Sequence, residues 1–80
     1  MMLFGAQIRG ARGLIGWSQQ QLAGAAKVSL STIRRMEAVD GLVPGNLESA
    51  VRIRNALENA GVQFIDQGEK GPGIQLVNPM

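Results

Sequence analysis

The side chains that most often carry enzyme chemistry are missing: the 80 residues include no cysteine, no histidine and no tyrosine. There is thus no thiolate nucleophile or ligand, no disulfide, and no imidazole to serve as general base or zinc ligand. The carboxylates Glu37, Asp40, Glu48, Glu58, Asp66 and Glu69 are scattered along the chain. Catalysis, a metal and a cofactor are therefore not expected. What the chain does hold is positive charge in one half. Residues 1–38 carry Arg9, Arg12, Lys27, Arg34 and Arg35 against Glu37 alone, whereas residues 39–80 carry Arg52, Arg54 and Lys70 against five carboxylates. Within a net charge of only +2, this asymmetry fits one surface turned toward a polyanion. A merely solvated surface has the same composition, so the position of each cation must decide.

The elements that would position these cations are helices. Ile8, Ala11 and Ile15 fall on one face of a first helix, Phe4–Ile15, and Gly16 suits the position just past its end. Gly5, Gly10 and Gly13 lie inside it, each worth about 1 kcal/mol less than alanine at an exposed site, so this helix must draw its stability from packing. Ser18 with Gln21 three residues on forms a capping box for a second helix. Trp17 and Leu22 are spaced as a hydrophobic staple across that cap. Trp17 is read as core or staple, not as a stacking platform. Lys27, Val28 and Ser29 make a tight turn, and Ser29 caps a third helix, Leu30–Ala38. Ile33 and Met36 form its buried face, with Leu30, Ser31, Arg34 and Arg35 on the other.

Asp40-Gly41 and Pro44-Gly45 mark residues 39–45 as a loop. Asn46 caps a fourth helix reaching Asn59 or Ala60, with Ala50, Ile53, Leu57 and Ala60 as its apolar stripe and Gly61 as its left-handed stop. Val62–Asp66 and Ile74–Val77 alternate apolar and polar residues on either side of a glycine-rich turn, Gln67–Gly73, which predicts a β-hairpin with a long loop. The expected organisation is one mainly α domain: four helices in residues 1–60, and a C-terminal hairpin extension in residues 61–80. Met1–Gly13 has no long apolar run and does not read as a signal peptide. No stretch approaches the roughly 20 apolar residues of a membrane span. A cytoplasmic protein without a membrane partner is expected.

Two short helices joined by a three-residue turn are the physical core of a helix-turn-helix. Leu22, Ala26, Val28, Ile33 and Met36 supply apolar residues at the spacing that core needs, and Ala23 is small where the helices must approach. The runs Gln7-Ile8-Arg9, Gly16-Trp17-Ser18-Gln19, Gln21-Leu22-Ala23 and Ser31-Thr32-Ile33-Arg34-Arg35-Met36-Glu37 resemble the XRE/Cro-type, lambda-repressor-like helix-turn-helix DNA-binding domains. Ala56-Leu57-Glu58 with Gly61-Val62-Gln63-Phe64-Ile65 resembles a subgroup with a C-terminal strand pair. The resemblance covers nearly the whole chain, with the motif at residues 18–38.

It implies that the third helix is a recognition helix in the major groove of double-stranded DNA. Leu30, Ser31, Arg34 and Arg35 would then reach base edges. Gln19 and Thr32 would hold phosphates, and Arg12 and Glu37 would form a structural ion pair between the first and third helices. Leu30 could meet a thymine methyl or simply be exposed. Three positions depart from the family pattern: Lys27 and the run Ala38-Val39-Asp40-Gly41 stand where glycine is usual, and Leu30 where a polar residue is common. The implied function is a bacterial- or phage-type transcriptional regulator, located with the nucleoid. The alternative is a protein-interaction module such as a toxin-binding antitoxin, using the open hairpin edge. A homodimer joined through the hairpin is expected, because a lone hairpin is marginal and two half-sites suit a two-fold partner.

Overall fold

The computed structural model describes residues 2–77. Met1 and residues 78–80, which end the two expected ranges, lie outside the described residues. The elements in order are α1 Gly5–Ile15, α2 Gln19–Ala26, α3 Leu30–Glu37, α4 Leu47–Asn59, β1 Val62–Gly68 and β2 Gly71–Leu76. The protein is thus small and mainly helical, with an antiparallel hairpin at its C-terminal end. No described helix is long and apolar enough to cross a membrane.

Local chemistry sets the helix boundaries. Ser18 Oγ accepts from Gln21 N at 3.0 Å, and Ser18 N donates to Gln21 Oε1 at 2.8 Å, which closes the capping box of α2. Ser29 Oγ accepts from Thr32 N at 3.1 Å to start α3, and Asn46 Oδ1 accepts from Ser49 N at 2.8 Å to start α4. Gly16 ends α1 in the left-handed conformation, φ 71°. Lys27 ends α2 in the same conformation, φ 59° and ψ 45°, a position that favours glycine. The third helix stops at Glu37, with Ala38 as its cap, one residue short of expectation.

Each helix turns an apolar stripe inward, while Leu14 of α1 and Leu47 of α4 stay exposed. Ile8, Leu22, Ile33, Met36, Ile53, Leu57 and Val62 are fully buried in one core, and the small residues Ala11, Ala23, Ala26, Ala50 and Ala56 let the helices approach. Leu3 joins the same core. The segment around it pairs with the α3–α4 loop: Val43 N donates to Leu3 O at 3.0 Å, and Gly5 N to Gly41 O at 2.9 Å. This contact fixes the residue type at position 5, because a Cβ there would stand 1.9 Å from Val39 O and 2.6 Å from Met36 O.

The hairpin differs from its sequence expectation. The expected turn over Gln67–Gly73 shrinks to Glu69-Lys70, and Gly71, Pro72 and Gly73 belong to β2. Pairing runs Val62 with Leu76, Phe64 with Ile74 and Gly68 with Gly71, and β1 carries one extra residue between Ile65 and Gly68. A bulge of that kind, on a strand with a free edge, is where a strand accepts proline. Val62 and Phe64 point into the core, while Gln63 and Gln75 face out and bond to each other at 2.6 Å.

The first helix holds the hairpin as firmly as the fourth does. Gln7 is buried in α1. Its Oε1 accepts from Phe4 N at 3.0 Å, and its Nε2 donates to Gly73 O at 3.0 Å and Ile65 O at 3.5 Å. Arg54 of α4 holds the other side, with its Nη1 2.9 Å from Asp66 Oδ1 and its guanidinium carbon 4.9 Å from the Phe64 ring centroid. The carbonyl of Met2 accepts from the same Nη1. These bonds hold the Arg54 guanidinium above its usual range, the hydrogen bond it donates to Asp66 most of all.

Candidate nucleic-acid interface

The surface singled out by the sequence is the exposed side of α3. Ile33 and Met36 anchor the helix in the core, so Ser31, Arg34 and Arg35 are exposed and Leu30 and Thr32 are half-buried. The hydroxyl groups at its start cluster around the cap: Ser29 Oγ lies 2.8 Å from Thr32 Oγ1 and 3.1 Å from Ser31 Oγ. Thr32 therefore meets any ligand with its hydroxyl already shared with the cap. Arg35 Nη2 reaches over the α3–α4 loop, where a Cβ on Gly45 would lie 3.3 Å from it.

Pairing separates these arginines from the rest of the positive charge. Among the described residues, Arg9 pairs with Asp40, Arg12 with Glu37, Arg52 with Glu48, and Arg54 with Glu58 and Asp66. Arg34 and Arg35 make no ion pair among the described residues. Lys27, in the turn that leads into α3, is likewise exposed. The basic first half of the sequence thus divides into two sets: Arg9 and Arg12 are engaged inside the protein, whereas Lys27, Arg34 and Arg35 present their charge to solvent. Arg9 is the residue the sequence most misrepresents. Its Nη1 donates to the carbonyls of Glu37 and Val39, and its Nη2 to Asp40, so it caps the C-terminal end of α3.

Behind the exposed face lies a buried polar cluster that fixes how α3 sits. Arg12 Nε donates to Glu37 Oε2 at 2.6 Å and Arg12 Nη2 to Glu37 Oε1 at 2.9 Å, a two-pronged pair between α1 and α3. Arg12 Nη1 also donates to Trp17 O at 2.8 Å, which ties in the α1–α2 turn. The Glu37 side chain is only 4% exposed. Burial alone would push its carboxyl upward, but the hydrogen bonds from Arg12 and Gln19 and the charges of Arg12 and Arg9 hold it below the usual glutamate range. Gln19 Nε2 donates to Glu37 Oε1 at 3.1 Å. The first residue of α2 is thereby bonded to the last residue of α3, and a phosphate at Gln19 would meet an amide already oriented from within. The spacing of Gln19 and Glu37 in the sequence carries no sign of this link.

The arrangement brings together, among the described residues, no cluster of three or more carboxylates that could hold a metal ion. It offers hydrogen-bond donors, exposed guanidinium groups and one apolar residue, Leu30, on a short helix held rigidly from behind. Such a surface can bind phosphates and base edges. No family model matches the chain, and no curated protein matches it.

Proposed function

We propose that the chain is a helix-turn-helix protein of the XRE/Cro type that binds double-stranded DNA in a sequence-specific way and acts as a transcriptional regulator. The observation that carries this reading is the contrast in pairing: two adjacent arginines on α3 are unpaired among the described residues, while every other arginine is held by a carboxylate. In this reading α2 and α3 form the motif, and α3 enters the major groove. Arg34, Arg35, Ser31 and Leu30 meet base edges, and Gln19 and Thr32 meet phosphates. The protein works as a homodimer in the cytoplasm, on the nucleoid, and catalyses no reaction.

Fluorescence anisotropy on random-sequence and selected duplexes tests the proposal. Each phosphate neutralised lowers log K by about 0.9 per decade of salt. Affinity should therefore fall steeply between low and physiological ionic strength, and selection from random duplexes should return a preferred site. A flat salt response would overturn the reading.

A second reading draws on the hairpin. Leu76 and Val77 are exposed apolar residues at the open end of β2, and an open strand edge recruits other strands. In that case the chain is a protein-binding module, such as an antitoxin that holds a toxin. Capture of the product of a neighbouring gene, with salt-insensitive and sequence-indifferent DNA affinity, would favour it.

A further inference from the structure

A second concentration of hydrogen-bond donors lies off the exposed side of α3, where the C-terminal end of α2 meets α4. A cleft of about 350 Å³ opens there, walled by Lys27, Arg52, Asn55 and Asn59 over a floor that includes Ala26 and Ala56. The two alanines are buried and the four polar residues are exposed. Arg52, Asn55 and Asn59 follow one another at spacings of three and four, so they form one row on α4. Lys27 closes the cleft from the α2 side. Among the described residues no carboxylate lines it. Glu48 engages Arg52 Nη2 from outside at 3.1 Å, but an i,i+4 pair that is 50% and 74% exposed holds weakly.

The backbone at Lys27 singles that residue out. It is the one non-glycine residue with a positive φ, 59°, among the described residues, and glycine would make the same turn with less strain. The end of α2 does not need the lysine side chain. The Lys27 N–H already donates to Ala23 O, and Arg52 Nη1 donates to Lys27 O at 3.3 Å. The ammonium makes no ion pair among the described residues. A strained backbone that carries a cation into a cleft is a feature of binding sites.

We propose that this cleft binds a phosphate group, presented either by a small phosphate monoester or by the backbone of DNA. The inference goes beyond the DNA-binding reading and does not require it. Two cations match the charge of a phosphate monoester, which is about −1.5 to −2 at neutral pH. Donors from opposite walls suit its three terminal oxygens better than the two coplanar oxygens of a carboxylate. The volume falls at the lower end of small-molecule sites, and the alanine floor leaves an apolar surface beside the phosphate for a small organic group. The bound anion would touch the turn that leads into α3, two residues before its cap Ser29.

Nuclear magnetic resonance on the ¹⁵N-labelled full-length chain tests this with inorganic phosphate at constant ionic strength. Saturable shifts are expected at the Asn55 and Asn59 carboxamides and at the Lys27 amide, with none from chloride. Lys27→Gly, which suits the backbone better, and Arg52→Gln should each weaken phosphate about tenfold, the loss of one charge-assisted hydrogen bond. Lys70→Gln, at the hairpin turn, should leave it unchanged. Acetate should bind more weakly than phosphate. Circular dichroism checks that the variants remain folded.

Shifts that do not saturate, that chloride reproduces, or that gather on Arg34 and Arg35 overturn the proposal. So does full phosphate affinity in folded Lys27→Gly and Arg52→Gln, or acetate bound as tightly as phosphate. Adding a duplex identifies the source: displacement of inorganic phosphate assigns the cleft to the DNA backbone, and simultaneous binding assigns it to a free phosphate monoester. Phosphate held in the cleft of a chain without DNA affinity keeps this inference and overturns the DNA reading, whereas DNA binding by a chain whose cleft takes no phosphate does the reverse.

Discussion

Replacing Arg12 by methionine removes one member of the buried pair and keeps most of its aliphatic bulk. Glu37 is then left almost wholly out of water, with the Gln19 amide as its remaining side-chain hydrogen bond. Stranding a buried charge in this way costs about 3–5 kcal/mol. An 80-residue domain has roughly 4–12 kcal/mol in total, at about 0.05–0.15 kcal/mol per residue. The variant should therefore melt on the order of 20 °C lower at pH 7, since each kcal/mol moves a domain of this size by about 4–8 °C. The effect must also depend on pH in a defined direction. In the native protein Glu37 is held below its ordinary value, so its contribution is present at neutral pH and is lost as pH falls through that lowered value. Without Arg12 the largest influence left is burial, which raises the carboxyl, so the variant is penalised most at neutral pH and is relieved as Glu37 takes up a proton. The stability gap should thus narrow from pH 7 toward pH 4, measured by urea denaturation monitored by circular dichroism. Adding Glu37→Leu should restore part of the loss, but not the bond from Arg12 to Trp17 O. An unchanged melting temperature for Arg12→Met, or a gap that stays constant into acid, would refute the reasoning.

Gly13→Ala should stabilise the fold by about 1 kcal/mol, since no atom lies within 4 Å of the added Cβ; a lower melting temperature would mean that α1 is packed on that side. Gly5→Ala should do the opposite and severely, because its Cβ would collide with backbone carbonyls of α3 and the following loop; thermal melts of the two variants make the comparison. Lys27→Gly should raise stability by about 1 kcal/mol by relieving the left-handed backbone, and a melting temperature that does not rise would contradict this account of the turn. Arg35→Ala should weaken the selected DNA site more than random DNA, by about 1–3 kcal/mol if the guanidinium holds a guanine edge; equal losses on both would assign it to a phosphate.

Much of the helical framework is legible in the sequence because caps are local. Ser18 with Gln21, Ser29, Gly16 and Asn46 act within a few residues of where they stand, so their residue types mark the boundaries directly. What escapes is polar chemistry acting over long separations. Gln7 enters the sequence reading only within the run Gln7-Ile8-Arg9, yet it is buried and bonded to the hairpin. Arg9 reads as one more basic charge, yet it closes the end of α3. The hairpin turn was illegible for another reason. Gly-Pro-Gly has the composition of a turn, and only the extra residue in β1 and the open edge of β2 let it serve as strand. On the candidate interface, sequence identifies Arg34 and Arg35 as cations but cannot tell them from Arg9 and Arg12, since that distinction lies in where the carboxylates come to rest.

The bonds from Gln7 also govern when the molecule can be completed. Its partner Gly73 lies 66 residues further along the chain. At about 5–20 residues per second, a ribosome needs roughly 3 to 13 s to span that distance. During that interval the first helix, weakened by its glycines, lacks the strand that anchors it. Leu3 and Phe64 share one core, so that core closes only after β1 has been made. Contacts so distant in sequence slow closure relative to a bundle of locally paired helices. A chain cut short before β2 would then carry α3 complete in sequence but lack the strand that anchors α1.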